Sequence, residues 1–268
     1  MSSANPPHDL ALGAVKSADR TISILEYLAA AKEASFAAIV RELGLPNSSG
    51  HQLLQTVLNR GYIEFDSRKR TFRLGYRLWE VAQAYVPAQD IVSLAQPLMD
   101  ELRETTKETV QLATLDGLET LYLAIAESPH PMKLVSSVGA RLGAHATALG
   151  KVLMAALPDD ELERRLRDAK LTRFTNRTIT DRAKLEAELL RIRSRGYGED
   201  NEEYVVGCRC TAMLVPNHGG MTVALSVSVP TARYDRTVAR DIREALAACV
   251  AAIATRADSA PQHLASRG

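Results

Sequence analysis

The 268-residue chain has no apolar run approaching the roughly 20 residues that a membrane-spanning helix needs. It is short of cysteine, with three in all. Cys208 and Cys210 form a C-x-C with no second pair and no neighbouring histidine, which excludes a zinc site and implies no metal or other cofactor. It also lacks an excess of either charge: acids and bases nearly cancel, to a formal +1. Any nucleic-acid binding must then come from a local patch rather than a global field. Met1 to Gly13 has no basic-then-apolar signal pattern, so residues 1–14 read as a polar arm and the odd cysteines suit a reducing cytoplasm. Catalytic signatures are missing as well. There is no G-x-S-x-G elbow, and the glycines before Lys151 lack phosphate-loop spacing and a following Ser or Thr. His51, His130, His145 and His218 lie far apart, and His145 is expected to pack or bond within its own loop. The chain reads as a non-enzyme.

What is present begins at Ser17. Ser17 to Ala31 has helical period, with Ile22, Ile24, Leu25 and Leu28 as its expected core stripe and Arg20 directed away from it. Phe36, Ile39, Val40 and Leu43 share one face of a short second helix. Gly44 suits the position past its end, and Pro46 disfavours helix at Leu45. Ser48 or Ser49 is expected to cap a third helix, whose inward stripe is Leu53, Leu54, Val57 and Leu58. Its opposite face carries Ser48, Gln52, Gln55 and Asn59; amides of this kind can bind an adenine edge bidentately. A hairpin follows, Tyr62 to Phe65 and Thr71 to Leu74, with Arg68, Lys69 and Arg70 at its tip. Helix, turn, helix and basic wing form a device for placing one helix in a major groove while the wing follows phosphates. The DNA-facing set is Arg20, Ser48, Ser49, His51, Gln52, Gln55, Asn59, Arg68, Lys69 and Arg70.

Residues 76–89 read as a linking helix. Tyr76 to Tyr85 is apolar at Leu78, Val81, Ala82 and Tyr85 beside the single Trp79, and Val86-Pro87 breaks the pattern. An apolar stripe there calls for an equivalent helix of a second subunit, which would supply the second recognition helix of a two-half-site operator. Residues 90–257 are mixed α+β. Ile91 to Thr105 is helical. Val110 to Leu115 and Leu118 to Ala126 are strands joined by Asp116-Gly117, and Met132 to Val138 alternates as a third strand. Helices are expected over Thr147 to Ala156, Asp159 to Ala169, Asp181 to Arg195 and Arg236 to Arg256. Cys210 to Val215 and Met221 to Val229 form another hairpin across Asn217-His-Gly-Gly, and residues 258–268 read as a frayed tail. The small-residue loop Gly139 to Lys151 leads into a helix N-terminus that can receive a carboxylate. Strand alternation puts Ser226 and Ser228 on one face, with Val227 and Val229 on the other.

Four segments, in order, resemble the IclR family of bacterial transcription regulators. They are Ser17-Ala-Asp-Arg20 through Gly44-Leu-Pro46, Ser48-Ser49, Leu53-Leu54, Gly61-Tyr62 and Leu74-Gly75; Gly139 to Lys151; Arg195-Gly-Tyr197 through Asp200, Glu203, Gly207, Cys210 and Ala212; and Ser226 to Pro230. The resemblance covers nearly all of Val15 to Ala257. It implies an N-terminal winged helix-turn-helix (15–75), a linking helix and a C-terminal effector domain similar to a GAF-type fold with an antiparallel sheet. It implies double-stranded operator DNA and a small organic acid as partners. The assembly it implies is a homodimer through the DNA-binding domains, extended to a homotetramer through the effector domains. The effector residues it implies are Ala148 and Leu149 (backbone), Asp200, Cys210, Ser226 and Ser228. Asp200 beside an anion must bind a hydroxyl or hold a proton. This chain departs from the family pattern in having Asn47 and Gln52 in place of cations, and Gly143-Ala144 in place of Pro-Leu. The smaller pair suggests a larger pocket and a bulkier, aromatic acid. The rival reading is a metabolic enzyme or sensor whose N-terminal domain no longer binds DNA.

Overall fold

A computed structural model describes residues 15–82, 86–216 and 221–259. The arm over residues 1–14, the end of the linking helix over 83–85, the Asn217-His-Gly-Gly turn and the tail from 260 lie outside them. The chain divides between residues 85 and 86 into two compact units.

In the first unit, α1 (Lys16–Ala31), α2 (Phe36–Glu42) and α3 (Asn47–Asn59) pack on a small sheet. Its strands are β1 (Glu33–Ser35), β2 (Ile63–Asp66) and β3 (Thr71–Leu74), in the antiparallel order β1-β3-β2. The core is Ile24 and Leu28 of α1, Ile39 of α2, Leu54 and Val57 of α3, and Ile63 of β2. Gly50 sets the closeness of α2 and α3, because a Cβ there would lie 2.8 Å from Val40 Cγ2. Gly44 closes the turn between them at φ +60°.

Two expectations fail in this unit, and one element was not foreseen. Ile22 is 57% exposed and outside the core stripe, because two residues of helix turn it about 200° away from Ile24. Neither Ser48 nor Ser49 caps α3. Pro46 takes the cap position, its carbonyl accepts the Gly50 N–H at 2.8 Å, and both serines fall inside the first turn. The strand β1 has no counterpart in the sequence reading; three residues are too few to show a period. Ser35 at its end caps α2 by accepting from Ala38 N.

α4 (Arg77–Ala82) leaves Tyr76, Trp79 and Val81 exposed. α5 is described over Val86–Thr106, and the residues just before it, 83–85, lie outside the described residues.

The second unit is a six-stranded antiparallel sheet of order β6-β5-β4-β9-β8-β7. Its strands are β4 (Thr109–Asp116), β5 (Glu119–Ala126), β6 (Arg141–Gly143), β7 (Gly198–Asn201), β8 (Cys208–Val215) and β9 (Val223–Pro230). One core joins α5 and α9 (Arg236–Ser259) to Val227 and Val229. A second core joins α6 (Ala148–Ala155), α7 (Asp159–Leu166) and α8 (Arg182–Arg195) to Ala212 and Ala224. α8 ends at Gly196 in the left-handed conformation.

The expected strand over Met132 to Val138 is absent. The segment is irregular, with Met132, Val135 and Val138 65%, 78% and 64% exposed. β6 pairs only with Glu119 to Leu121 of β5, and Met132 to Val138 joins no ladder on the rest of that edge. The segment is strapped down instead: Arg233 donates to the Met132 carbonyl, and Gly139 N to the Tyr122 carbonyl.

Candidate functional site

In the first unit, the α3 face directed to solvent carries Ser48, His51, Gln52, Gln55 and Asn59, while Ser49 is half-buried. Gln55 Nε2 donates to Asn59 Oδ1 at 2.7 Å, so these two amides hold each other. His51 stacks on Phe36 at 3.9 Å, which fixes its ring against α2. Arg20 sits half-buried on α1. At the wing, Asp66 accepts from Arg68 N and Lys69 N, bonds that hold its carboxyl below the usual range and shape the turn. Arg70 takes φ +56°. Lys69 pairs with Glu33 of β1 at 3.0 Å; Arg68 and Arg70 have no ion pair among the described residues.

The second unit brings all six expected effector residues to one pocket. Strand register explains why. Asp200 of β7 stands opposite Cys210 of β8, Cys210 opposite Ser228 of β9, and Ser226 opposite Gln111 of β4. Ala148 and Leu149 come from the start of α6. Thr147 caps that helix by accepting from Gly150 N at 3.0 Å. The N–H groups of Ala148 and Leu149 have no helical carbonyl to bond. Gly150 is forced, because a Cβ there would come within 2.3 Å of the Ala144 backbone.

A polar chain runs beneath. Lys151, 1% exposed, bonds Glu203 Oε1 at 2.5 Å, and Glu203 N donates to Asp200 Oδ1 at 2.6 Å. Burial, reinforced by the Glu203 carboxylate and opposed by that N–H bond, pushes Asp200 up to about 7. Its carboxyl can therefore take up a proton far more readily than an exposed aspartate. Burial also pushes the Tyr122 phenol far up, so it stays neutral.

Sequence reasoning missed Gln111, Tyr122 and Cys208. Gln111, 1% exposed, accepts from Ser226 Oγ at 3.1 Å and Ser228 Oγ at 2.7 Å, and its Nε2 donates to Ser136 Oγ at 3.1 Å. Alternation could have found Cys208, two residues from Cys210 on the same strand face. Nothing local marks Gln111.

The cavity measures about 20 Å³, room for about one water. Leu134 and Tyr204 help to wall it. Gly143 and Ala144 do not enlarge it. Gly143 lines a separate cavity of about 230 Å³ with His145 and Phe174, and Ala144 is fully buried under Gly150. His145 bonds outside its own loop, with Nε2 donating to the Thr172 carbonyl at 2.9 Å.

A helix-turn-helix with a wing, followed by a small-molecule domain, defines a class, the one-component transcription regulators. Residues 17–67 match the IclR helix-turn-helix domain, and residues 83–255 match the family described as bacterial transcriptional regulator IclR, C-terminal. The chain belongs to the IclR family of transcriptional regulators, a non-enzymatic family with a DNA-binding and an effector-binding domain. It is 35% identical over 222 residues to the HTH-type transcriptional regulator BhcR of Paracoccus denitrificans, covering 82% of this chain and 80% of that one. It is 36% identical over 234 residues to XynR of Escherichia coli, covering 87% and 93%. Among solved structures, an IclR homolog from Microbacterium hydrocarbonoxydans complexed with 4-hydroxybenzoate matches with TM-score 0.79 at 26% identity. That match covers 91% of this chain and 100% of the other. Among the described residues no helix is long and apolar enough to cross a membrane.

Proposed function

We propose that this regulator binds double-stranded operator DNA as a homodimer, or as a dimer of dimers, and responds to a small organic carboxylic acid, aromatic acids included, to control catabolic genes. The observation that carries the reading is the convergence of two free helix N–H groups, two serines and a protonatable Asp200 on one pocket. The ligand carboxylate takes the Ala148 and Leu149 N–H groups, and the Ser226 and Ser228 hydroxyls turn to it from Gln111. Asp200 accepts the ligand's hydroxyl or donates a proton, which removes the clash between two anions. Entry requires Leu134 and Tyr204 to move. The 4-hydroxybenzoate bound by the Microbacterium homolog supports an acid with a ring and a hydroxyl.

On the DNA side, Gln52 and Ser48 of α3 read base edges while Arg68 and Arg70 hold phosphates. The exposed Tyr76, Trp79 and Val81 are covered by the same stripe of a second copy. Ligand favours one arrangement of effector domains and so resets the spacing of paired recognition helices. A thermal-shift screen of benzoate, 4-hydroxybenzoate, pyruvate and glyoxylate tests the pocket, with a rise in Tm expected for at least one. Gel shift on the DNA upstream of the chain's own gene tests the first unit. No stabilisation by any acid refutes the pocket, and no shift at low salt refutes the DNA reading.

A further inference from the structure

Cys208 and Cys210 occupy one face of β8, and both line the effector pocket. Their sulfurs lie 3.9 Å apart, and Cys210 Sγ is 3.2 Å from Ser228 Oγ. Cys208 is not part of the organic-acid reading.

Strand geometry decides what such a pair can do. Residues i and i+2 on one strand face stand about 6.6 Å apart, whereas a disulfide needs Cβ atoms about 3.8 Å apart. Joining these sulfurs directly would pull Cys208 and Cys210 out of register with Pro230 and Ser228. A single bridging atom relaxes that demand. Two bonds of about 2.3 Å meeting at a pyramidal or tetrahedral angle span roughly 3.4–3.8 Å. The observed separation is within about half an ångström of that, a small side-chain adjustment. No group of three or more His, Cys, Asp or Glu suited to a metal ion occurs among the described residues. The set therefore fits a centre satisfied by two sulfurs and an oxygen of its own. The cavity of about 20 Å³ is sized for one such atom.

We propose that the Cys208–Cys210 pair is a dithiol site for trivalent arsenic, with arsenous acid as the simplest ligand. The reaction is a condensation without redox change. Two As–O bonds of As(OH)₃ break and two As–S bonds form. The two thiol protons leave with the two displaced hydroxyls as two waters, and As–OH remains between the sulfurs. Neutral arsenous acid suits a pocket whose Cys210 thiol is held protonated by its Cys208 neighbour and by burial. Cys249 is not part of the site; it lies in the α5–α9 core, its thiol donating to the Leu98 carbonyl. The site stands independently of whether an organic acid enters the same pocket.

The test uses the reduced full chain incubated with sodium arsenite and desalted. Arsenic is measured by elemental mass spectrometry, and free thiols by rapid alkylation in denaturant with peptide mapping. One arsenic per chain is expected, with only Cys249 alkylated. Cys249→Ser should retain the arsenic, and Cys208→Ser or Cys210→Ser should each lower retention at least tenfold. Three alkylated cysteines in the wild-type chain, a measurement that needs no variant to fold, would overturn the site. Retention by Cys208→Ser equal to wild type would overturn it too.

Discussion

Glu203 donates its backbone N–H to Asp200 Oδ1 at 2.6 Å while its own carboxylate is held by Lys151. One residue thus both supports the charged form of Asp200 and, through its carboxylate, opposes it. Burial decides the balance and pushes Asp200 up to about 7. A carboxyl raised in the folded state binds more protons folded than unfolded. Its effect on stability is therefore small below about pH 4 and becomes increasingly unfavourable as pH rises toward 7. Asp200→Asn should flatten that fall, as read by Tm against pH. Carboxylate binding should weaken up to about tenfold per pH unit above 7 in wild type. It should be nearly pH-independent in Asp200→Asn. Equal pH profiles for the two proteins would contradict the assignment.

Ser226→Ala with Ser228→Ala should remove the response to acids and spare DNA affinity. A hydrogen bond to a charged group is worth about 1.5–3 kcal/mol, so loss of the pair should raise the ligand Kd at least tenfold. A calorimetric Kd unchanged in the double variant would remove both serines from the site.

Neutralising Arg68 and Arg70 should weaken binding on all DNA sequences and lower the slope of log K against log salt by about 2. Lys69→Ala alone should do less, because Lys69 is already paired with Glu33. Glu33→Ala should free Lys69 and steepen the slope. A titration by fluorescence anisotropy at several salt concentrations reads all three.

Gln52→Ala should relax preference at one operator position by about 1–3 kcal/mol. Gln55→Ala should also release Asn59, which Gln55 holds at 2.7 Å. Binding to a set of single-base operator variants separates the two.

Much of this was legible in the sequence because it rests on periodicity and on residues with special backbones. The inward stripe of α3 and the placing of Ser226 and Val227 on different faces of β9 follow from periods of 3.6 and 2, and the Gly44 turn from its left-handed backbone. What escaped depends on tertiary context. Met132 to Val138 alternates like a strand, yet it joins no ladder and is held near its ends by Arg233 on the Met132 carbonyl and by Gly139 N on the Tyr122 carbonyl. Gly143 looked like added pocket space but faces Phe174 in another cavity. Gln111 is an ordinary strand glutamine until β9 brings two serines to its carbonyl.

Gly150→Ala should be costly. Its Cβ would meet the Ala144 backbone at 2.3 Å, so α6 must shift away from Ala144, at about 1–3 kcal/mol. The same shift displaces Ala148 and Leu149, so chemical denaturation should show lost stability and calorimetry lost acid binding.

The three residues of β1 carry a further consequence. They join α1 to α2 and at the same time pair with the outer edge of the wing, where Glu33 also grips Lys69. The wing is therefore tied to the strand between the two helices by a ladder along β3 and by an ion pair at its tip. In the dimer proposed above, ligand control would then act on the gap between two such units, like a caliper, and not within either of them.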